Sequence, residues 1–283
     1  MDSNGAAVAP RQTLAVEAYG RTITIERDDD SFDLPFLPVD WRPATSSDAA
    51  DRRYSVTRTV DGRWTTITDD DPPFTLADAI AVSEHIEGDV HHWIATHTLG
   101  FLFVHAGCVS WRDRAIVLPG RSFAGKTTLT EALLRHGATY YSDDYAIIDP
   151  TGAIHPFPRW LRVRPGNAGR STRVDPLQSN WPIGHEPIRA GVVAELRYDA
   201  KAGWNVTRIN GGAGALSLLD NTVAARERPV DSLTLMSRAI EGAIAIHGTR
   251  DDADSTAKRL IAMVNELLDG PASRSVVSER DNR

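Results

Sequence analysis

A chain of 283 residues has room for one large domain or for a main domain with a smaller attachment, and 41% hydrophobic residues suffices for a sizeable core, which excludes a disordered whole. The formal net charge of −7 provides no overall basic field and argues against nucleic acid as a partner. The single cysteine, Cys108, cannot form an internal disulfide and reads as a small core residue. Residues 1–11 lack a basic region followed by an apolar run, so no secretory signal is expected. The longest apolar stretch, around residues 99–109, is too short for a bilayer, so a cytoplasmic protein with no membrane partner is expected.

In chain order, residues 1–11 are small and polar and predict a disordered tail. Residues 13–26 alternate like strands around a Tyr19-Gly20 turn, and residues 54–67 predict a hairpin turned by Asp61-Gly62. Thr75 is expected to cap a helix carrying Ile80, Val82, Ile86, Val90, Trp93 and Ile94 at helical spacing, its apolar face against the main sheet. In that helix His91 and His92 point about 100° apart and read as surface residues rather than metal ligands. Residues 101–119 predict a strand, a turn at Trp111-Arg112-Asp113 and a second strand. Tyr140-Tyr141 and residues 144–148 predict one strand that turns back into 153–157, residues 192–198 with 204–209 predict a further hairpin, and 211–214 a flexible turn. Helices are expected near 215–223, 232–240 and 253–268. Two hairpins beside the central segment imply a mixed sheet, hence an α/β (α+β) fold rather than a purely parallel one. The expected division is a β-rich N-terminal region over 12–74, a catalytic domain over 75–270, and disordered tails at 1–11 and 271–283.

Residues 120–127 read G-R-S-F-A-G-K-T, which is the phosphate-binding loop pattern, set between a short apolar strand and a helix as that motif requires. The glycines let successive N–H groups converge on an anion at the positive end of the helix. Gly120, Arg121, Ser122, Phe123, Ala124, Gly125, Lys126, Thr127 and Thr128 are therefore the candidate nucleotide-binding residues, for ATP or another nucleoside triphosphate. Lys126 would neutralise the β- and γ-phosphates, and Thr127 would ligate Mg²⁺.

Beyond the loop helix lies Asp143-Asp144. Phosphoryl transfer needs a held metal, a proton acceptor and positive charge. As neighbours at the start of a strand, the two carboxylates would point to opposite sides, one to the metal and one to an incoming hydroxyl. Asp144 with Thr127 is the candidate metal set, and Asp143, Asp144 and Lys126 the candidate catalytic set. His105, in a strand beside the loop strand, is either a core histidine or an imidazole orienting an aspartate. The segment 155–164 is the one dense basic patch, in which Arg159, Arg162 and Arg164 either engage a substrate phosphate or carboxylate or are ordinary surface charge on a strand edge.

The constellation His105-Ala106-Gly107, the loop 120–127 and Ser142-Asp143-Asp144 resembles the catalytic domain of HPr kinase/phosphorylase and its relatives, including kinases found beside lasso-peptide genes. That fold is similar to the one of phosphoenolpyruvate carboxykinase. The resemblance covers about residues 101–165 and, more loosely, the helical C-terminal part. It implies ATP and Mg²⁺ as cofactors and one aspartate acting as base toward a serine hydroxyl, and it adds His105 to the catalytic set. The loop departs from the family in bulky Arg121 and Phe123 and in its Gly-Lys-Thr-Thr ending, and a segment for docking the HPr protein is not recognisable. The kinase direction is therefore expected rather than the reverse reaction. The acceptor is a hydroxyl-bearing peptide, protein or small molecule, and the sequence leaves room for a homo-oligomer.

Two alternatives stand beside this reading. Small-metabolite kinases of the shikimate or gluconate kind also place an aspartate soon after the loop helix, but they begin near the loop, whereas here residues 1–119 precede it. A nucleotide-gated regulator would bind without transfer.

Overall fold

The computed structural model describes residues 12–28, 42–43, 49–121, 124–163 and 172–270. The chain separates into two compact units, Met1–Thr98 and Leu99–Arg283.

The first unit contains β1 (Gln12–Ala18), β2 (Arg21–Arg27), β3 (Arg42–Pro43), β4 (Arg52–Arg58), β5 (Trp64–Thr68), β6 (Phe74–Leu76) and α1 (Ala79–His97). Its sheet runs β3-β1-β2-β4-β5-β6, with β2 and β4 parallel and the other pairs antiparallel. Both expected hairpins form, β1–β2 and β4–β5. Thr75 lies in β6, and the helix is capped instead by Asp78, whose side chain accepts from the Ala81 N–H at 2.8 Å. The helix expected to open the second domain belongs to the first unit, where it lies against β5 and β6. A buried Arg52 joins Asp70, Asp71 and Asp89, and Tyr54 donates to Asp89 at 2.6 Å, tying α1 to β4 by charge-assisted bonds. His92 is exposed as expected, whereas His91 is buried, because its position continues the inward stripe through Ser83, Glu87 and Ala95.

The second unit contains β7 (Leu102–Trp111), β8 (Arg114–Pro119), α2 (Lys126–Arg135), β9 (Thr139–Ser142), β10 (Tyr145–Ile148), β11 (Ile154–His155), β12 (Leu161–Val163) and β13 (Thr172–Val174). It continues with β14 (Arg189–Tyr198), β15 (Asn205–Ile209), α3 (Gly211–Leu219), α4 (Pro229–Ile240), β16 (Ile244–Arg250) and α5 (Ala253–Asp269). The main sheet runs β11-β10-β7-β8-β14-β16-β15, with β9 also paired to β7, while β12 and β13 pair separately. It is a mixed sheet: β14 is parallel to β8 and β16, and β7 is antiparallel to β8, β9 and β10.

Period-two alternation decides what each face meets. Val104, Ala106, Cys108, Ala115, Val117, Val193 and Ala245 share a buried cluster with Ala215 and Leu218 of α3 and with Met236 and Ile240 of α4. Val109, Ile116, Leu118, Val192, Ala194 and Ile246 share another with Leu129 and Leu133 of α2 and with Leu260 and Val264 of α5. Helices thus cover both faces, which is why the central strands read as unbroken apolar runs. Cys108 is core, and burial pushes its thiol pKa up.

Three local expectations change. Residues 192–198 and 204–209 form no hairpin, because β16 lies between β14 and β15. Its β14 neighbour is buried on both sides and takes an interior place, whereas the mostly exposed β15 takes the edge. The glycines at 211–214 are no loop but the first turn of α3, capped by Asn210 accepting from the Ala213 N–H at 2.9 Å. Gly214 is required there: a Cβ would stand 2.9 Å from Ala245 and 3.0 Å from Ile240. Finally, residues 139–148 are two strands, β9 and β10, broken at Asp143-Asp144. The tails 1–11 and 271–283 lie outside the described residues.

Candidate functional site

The β7–β8 hairpin sets the site. Trp111 pairs with Arg114 across a two-residue turn in which Arg112 and Asp113 have φ of 50° and 57°, the left-handed pair that matches strand twist. This register places Pro119 beside Ala106, and the chain leaves β8 for the loop at that level. Gly125 enters α2 at φ 85°, a left-handed conformation that disfavours any side chain. The Lys126 ammonium folds back over the loop and donates to the carbonyls of Gly120 at 2.6 Å and Arg121 at 3.0 Å. Thr127 is half-buried and Thr128 exposed. Ala124 donates its N–H to the Arg121 carbonyl at 3.2 Å, while Ser122 and Phe123 lie outside the described residues.

On the other side of β7 the acidic pair sits in the break between β9 and β10, which pair with 108–110 and 102–105 of β7 respectively. The buried Ser142 hydroxyl makes the break by accepting from the N–H groups of Asp144 at 3.1 Å and Tyr145 at 3.0 Å. Asp143 is buried with a carboxylate oxygen 3.4 Å from the Tyr140 hydroxyl, and Asp144 is about 30% exposed. The two carboxylates therefore differ in burial and in the groups beside them.

Backbone bonds knit these parts together at one point. The His105 carbonyl accepts from the Gly120 N–H at 3.3 Å, and the Ala106 N–H donates to the Asp144 carbonyl at 3.0 Å. Loop and acidic pair thus flank the same two residues, about two strand spacings or ~10 Å apart. Alternation turns His105 and Gly107 to the α2 side. A Cβ on Gly107 would stand 2.5 Å from the Thr130 hydroxyl, so this glycine lets α2 approach β7 closely. The His105 ring lies 4.6 Å from that of Tyr145, and its Nδ1 is 3.7 Å from an Asp144 oxygen, too long for a hydrogen bond.

Arg159 proves to be more than surface charge. Its guanidinium is about 11% exposed and pairs with Asp144, while its carbonyl accepts from the Tyr140 hydroxyl at 2.7 Å. Tyr140 thereby links the Arg159 backbone to Asp143. Only the backbone of Arg162 is described, paired with Arg173 between β12 and β13, and Arg164 lies outside the described residues.

The electrostatics are mutual. Burial holds the Lys126 ammonium below the ordinary lysine range, and the fields of Asp144 and Asp143 oppose that shift. Burial first, and then Asp143, pushes the Tyr140 hydroxyl well up, so it stays a neutral donor. Among the described residues no three His, Cys, Asp or Glu side chains gather to hold a metal ion. Magnesium on a nucleotide asks for less: one or two protein oxygens, with phosphate and water completing the shell. The Thr127 hydroxyl and the Asp144 carboxylate are donors of that kind.

Sequence reasoning missed Tyr140, Arg250 and the Ser142 turn. Arg250 is buried at the end of β16 and donates to the Gly125 carbonyl at 3.0 Å. The alternation Ile244, Ile246 after Gly242 was a readable strand signal, whereas nothing local announces where Arg250 reaches.

No family model and no curated protein matches the chain. Among solved structures, the HPr(Ser) kinase/phosphatase from Coxiella burnetii aligns with 59% of this chain and 99% of its own, at 12% sequence identity and a TM-score of 0.37. That is a distant structural similarity. Among the described residues no helix is long and apolar enough to cross a membrane.

Proposed function

We propose that the second unit is an ATP-dependent kinase that transfers the γ-phosphoryl group to the hydroxyl of a peptide, protein or small molecule. One observation carries the reading: His105 and Ala106 are hydrogen-bonded on one side to the first loop glycine and on the other to Asp144. The loop and the carboxylate pair thereby share one rim of the sheet, at the C-terminal end of β8, where open α/β sheets bind ligands.

In this reading the N–H groups of the loop and the first turn of α2 bind the β- and γ-phosphates, and Lys126 leaves the Gly120 and Arg121 carbonyls for phosphate oxygens. Mg²⁺, held through Thr127 and one aspartate, supplies charge neutralisation on the phosphates. The other aspartate accepts the acceptor's hydroxyl proton as the O–P bond forms and the bond from Pγ to the bridging oxygen breaks, with ADP leaving. His105, beside Asp144 and tilted against the Tyr145 ring, steers the carboxylate rather than touching phosphate. Arg159 brings positive charge to the same carboxylate. The test is incubation of the purified chain with γ-labelled ATP, Mg²⁺ and serine-containing peptides or metabolite alcohols, with identification of the labelled product. ATP binding without transfer to any acceptor or to water would favour the nucleotide-gated regulator.

A further inference from the structure

Arg250 is the last residue of β16 and is only 3% exposed, with its guanidinium behind the phosphate loop. One arm donates to the Gly125 carbonyl and the other to the Asp251 carbonyl, each at 3.0 Å, and its charge lies 5.3 Å from the Tyr198 ring centre. The Gly125 oxygen already receives the Leu129 N–H at 3.1 Å as the first bond of α2, so Arg250 takes its second lone pair. The guanidinium also occupies the space that a Cβ on Gly125 would need. Together with Lys126 it lines the same small concavity against Leu118 and Ala124.

We propose that Arg250 is a positioning residue for the phosphate loop, fixing the Gly125–Lys126 peptide so that its N–H points at bound phosphate. In a trans peptide the carbonyl and the following N–H point in opposite directions. Holding the Gly125 oxygen toward Arg250 and the body of α2 therefore aims the Lys126 N–H out of the helix N-terminus. The electrostatics point to a polyanion as the group served. A buried guanidinium, the positive end of α2 and the Lys126 ammonium gather at one loop, a concentration of positive charge suited to a ligand with several negative charges. Burial lowers the Arg250 pKa, while the fields of Tyr198, Asp251 and Asp252 counter that effect. Two carbonyls and a ring therefore hold a charge that is costly to bury.

This role rests on the nucleotide reading, and its test separates the two. In the full-length chain with Mg²⁺, dissociation constants for ATP and for inorganic tripolyphosphate are measured alongside thermal melting for wild type, Arg250→Met and Arg250→Lys. The expected result is roughly tenfold weaker binding of both ligands in Arg250→Met, as for loss of a charge-assisted bond, with part recovered in Arg250→Lys. Lower melting with unchanged affinity per folded molecule would overturn the proposal, and so would weakened ATP binding with intact tripolyphosphate binding. If Arg250→Met does not fold, Arg250→Lys decides alone: severalfold weaker binding of both ligands supports the role and wild-type affinity refutes it. Wild type that binds neither ligand would remove the nucleotide reading and this role together, whereas wild-type binding that is insensitive to both substitutions removes only the role of Arg250.

Discussion

Lys126 shows how the site balances opposing terms. Burial disfavours its charge and the carboxylates of Asp143 and Asp144 favour it, with burial the larger influence, so the ammonium is poised to lose its proton below the ordinary lysine value. ATP affinity is then expected to fall as pH rises, beginning below the range in which an ordinary lysine loses its proton, because only the ammonium neutralises phosphate. The stability effect has the opposite sign: a depressed folded-state pKa means that burying the ammonium costs stability at lower pH, and the cost lifts as pH rises past the folded value. ATP titrations of wild type and Lys126→Ala across this range check the point. Wild type should show the alkaline loss and Lys126→Ala should bind weakly throughout; a flat wild-type profile would contradict it. The carboxylates are expected to separate by role. Asp143→Asn and Asp144→Asn should each lower kcat by about a hundredfold or more, with Mg²⁺ affinity reduced in only one, as steady-state rates under Mg²⁺ titration would show. Near-normal turnover in both would return the pair to a structural turn, held by Ser142 and Arg159.

The elements carry the site through close packing. At Gly107 α2 packs closely on β7, and a single methyl there meets the buried Thr130 hydroxyl at 2.5 Å. Gly107→Ala should destabilise the protein by about 1–3 kcal/mol, and adding Thr130→Ala should return most of the loss, measured by chemical denaturation. Additive losses in the double variant would mean that the glycine serves something other than helix approach. The same elements show what a sequence discloses. The β1–β2, β4–β5 and β7–β8 hairpins were legible because turn chemistry such as Asp61-Gly62 acts locally on its own strands. The strand before the loop and the helix α2 after it were legible because a glycine-rich turn between an apolar run and a helical run is a local signal. The start of α3 was not, since Gly211 and Gly212 suit a loop until Asn210 caps them and the tight contact of Gly214 with Ile240 and Ala245 holds the turn in place.

At the scale of the molecule, what the chain did not disclose was sheet order. Neighbouring strands β14 and β15 look like a hairpin, and only the competition for an interior place puts β16 between them. That insertion carries Arg250 to the loop, just as the fold carries Arg159 to Asp144. Both are long-range consequences that no local pattern encodes. The division after Thr98 likewise assigns α1 by its packing against β5 and β6 rather than by its place before the loop-bearing segment. The motifs themselves were readable because each is short, whereas their meeting at His105 and Ala106 depends on β7 having β8 on one side and β9 and β10 on the other. The most direct measurement of the central claim is single-turnover transfer from γ-labelled ATP, with Mg²⁺, to a panel of hydroxyl acceptors by wild type and Lys126→Ala. A labelled phosphoester formed by wild type and lost in Lys126→Ala is the predicted result. Equal product from both proteins, or no ATP binding by well-folded wild type, would contradict the account.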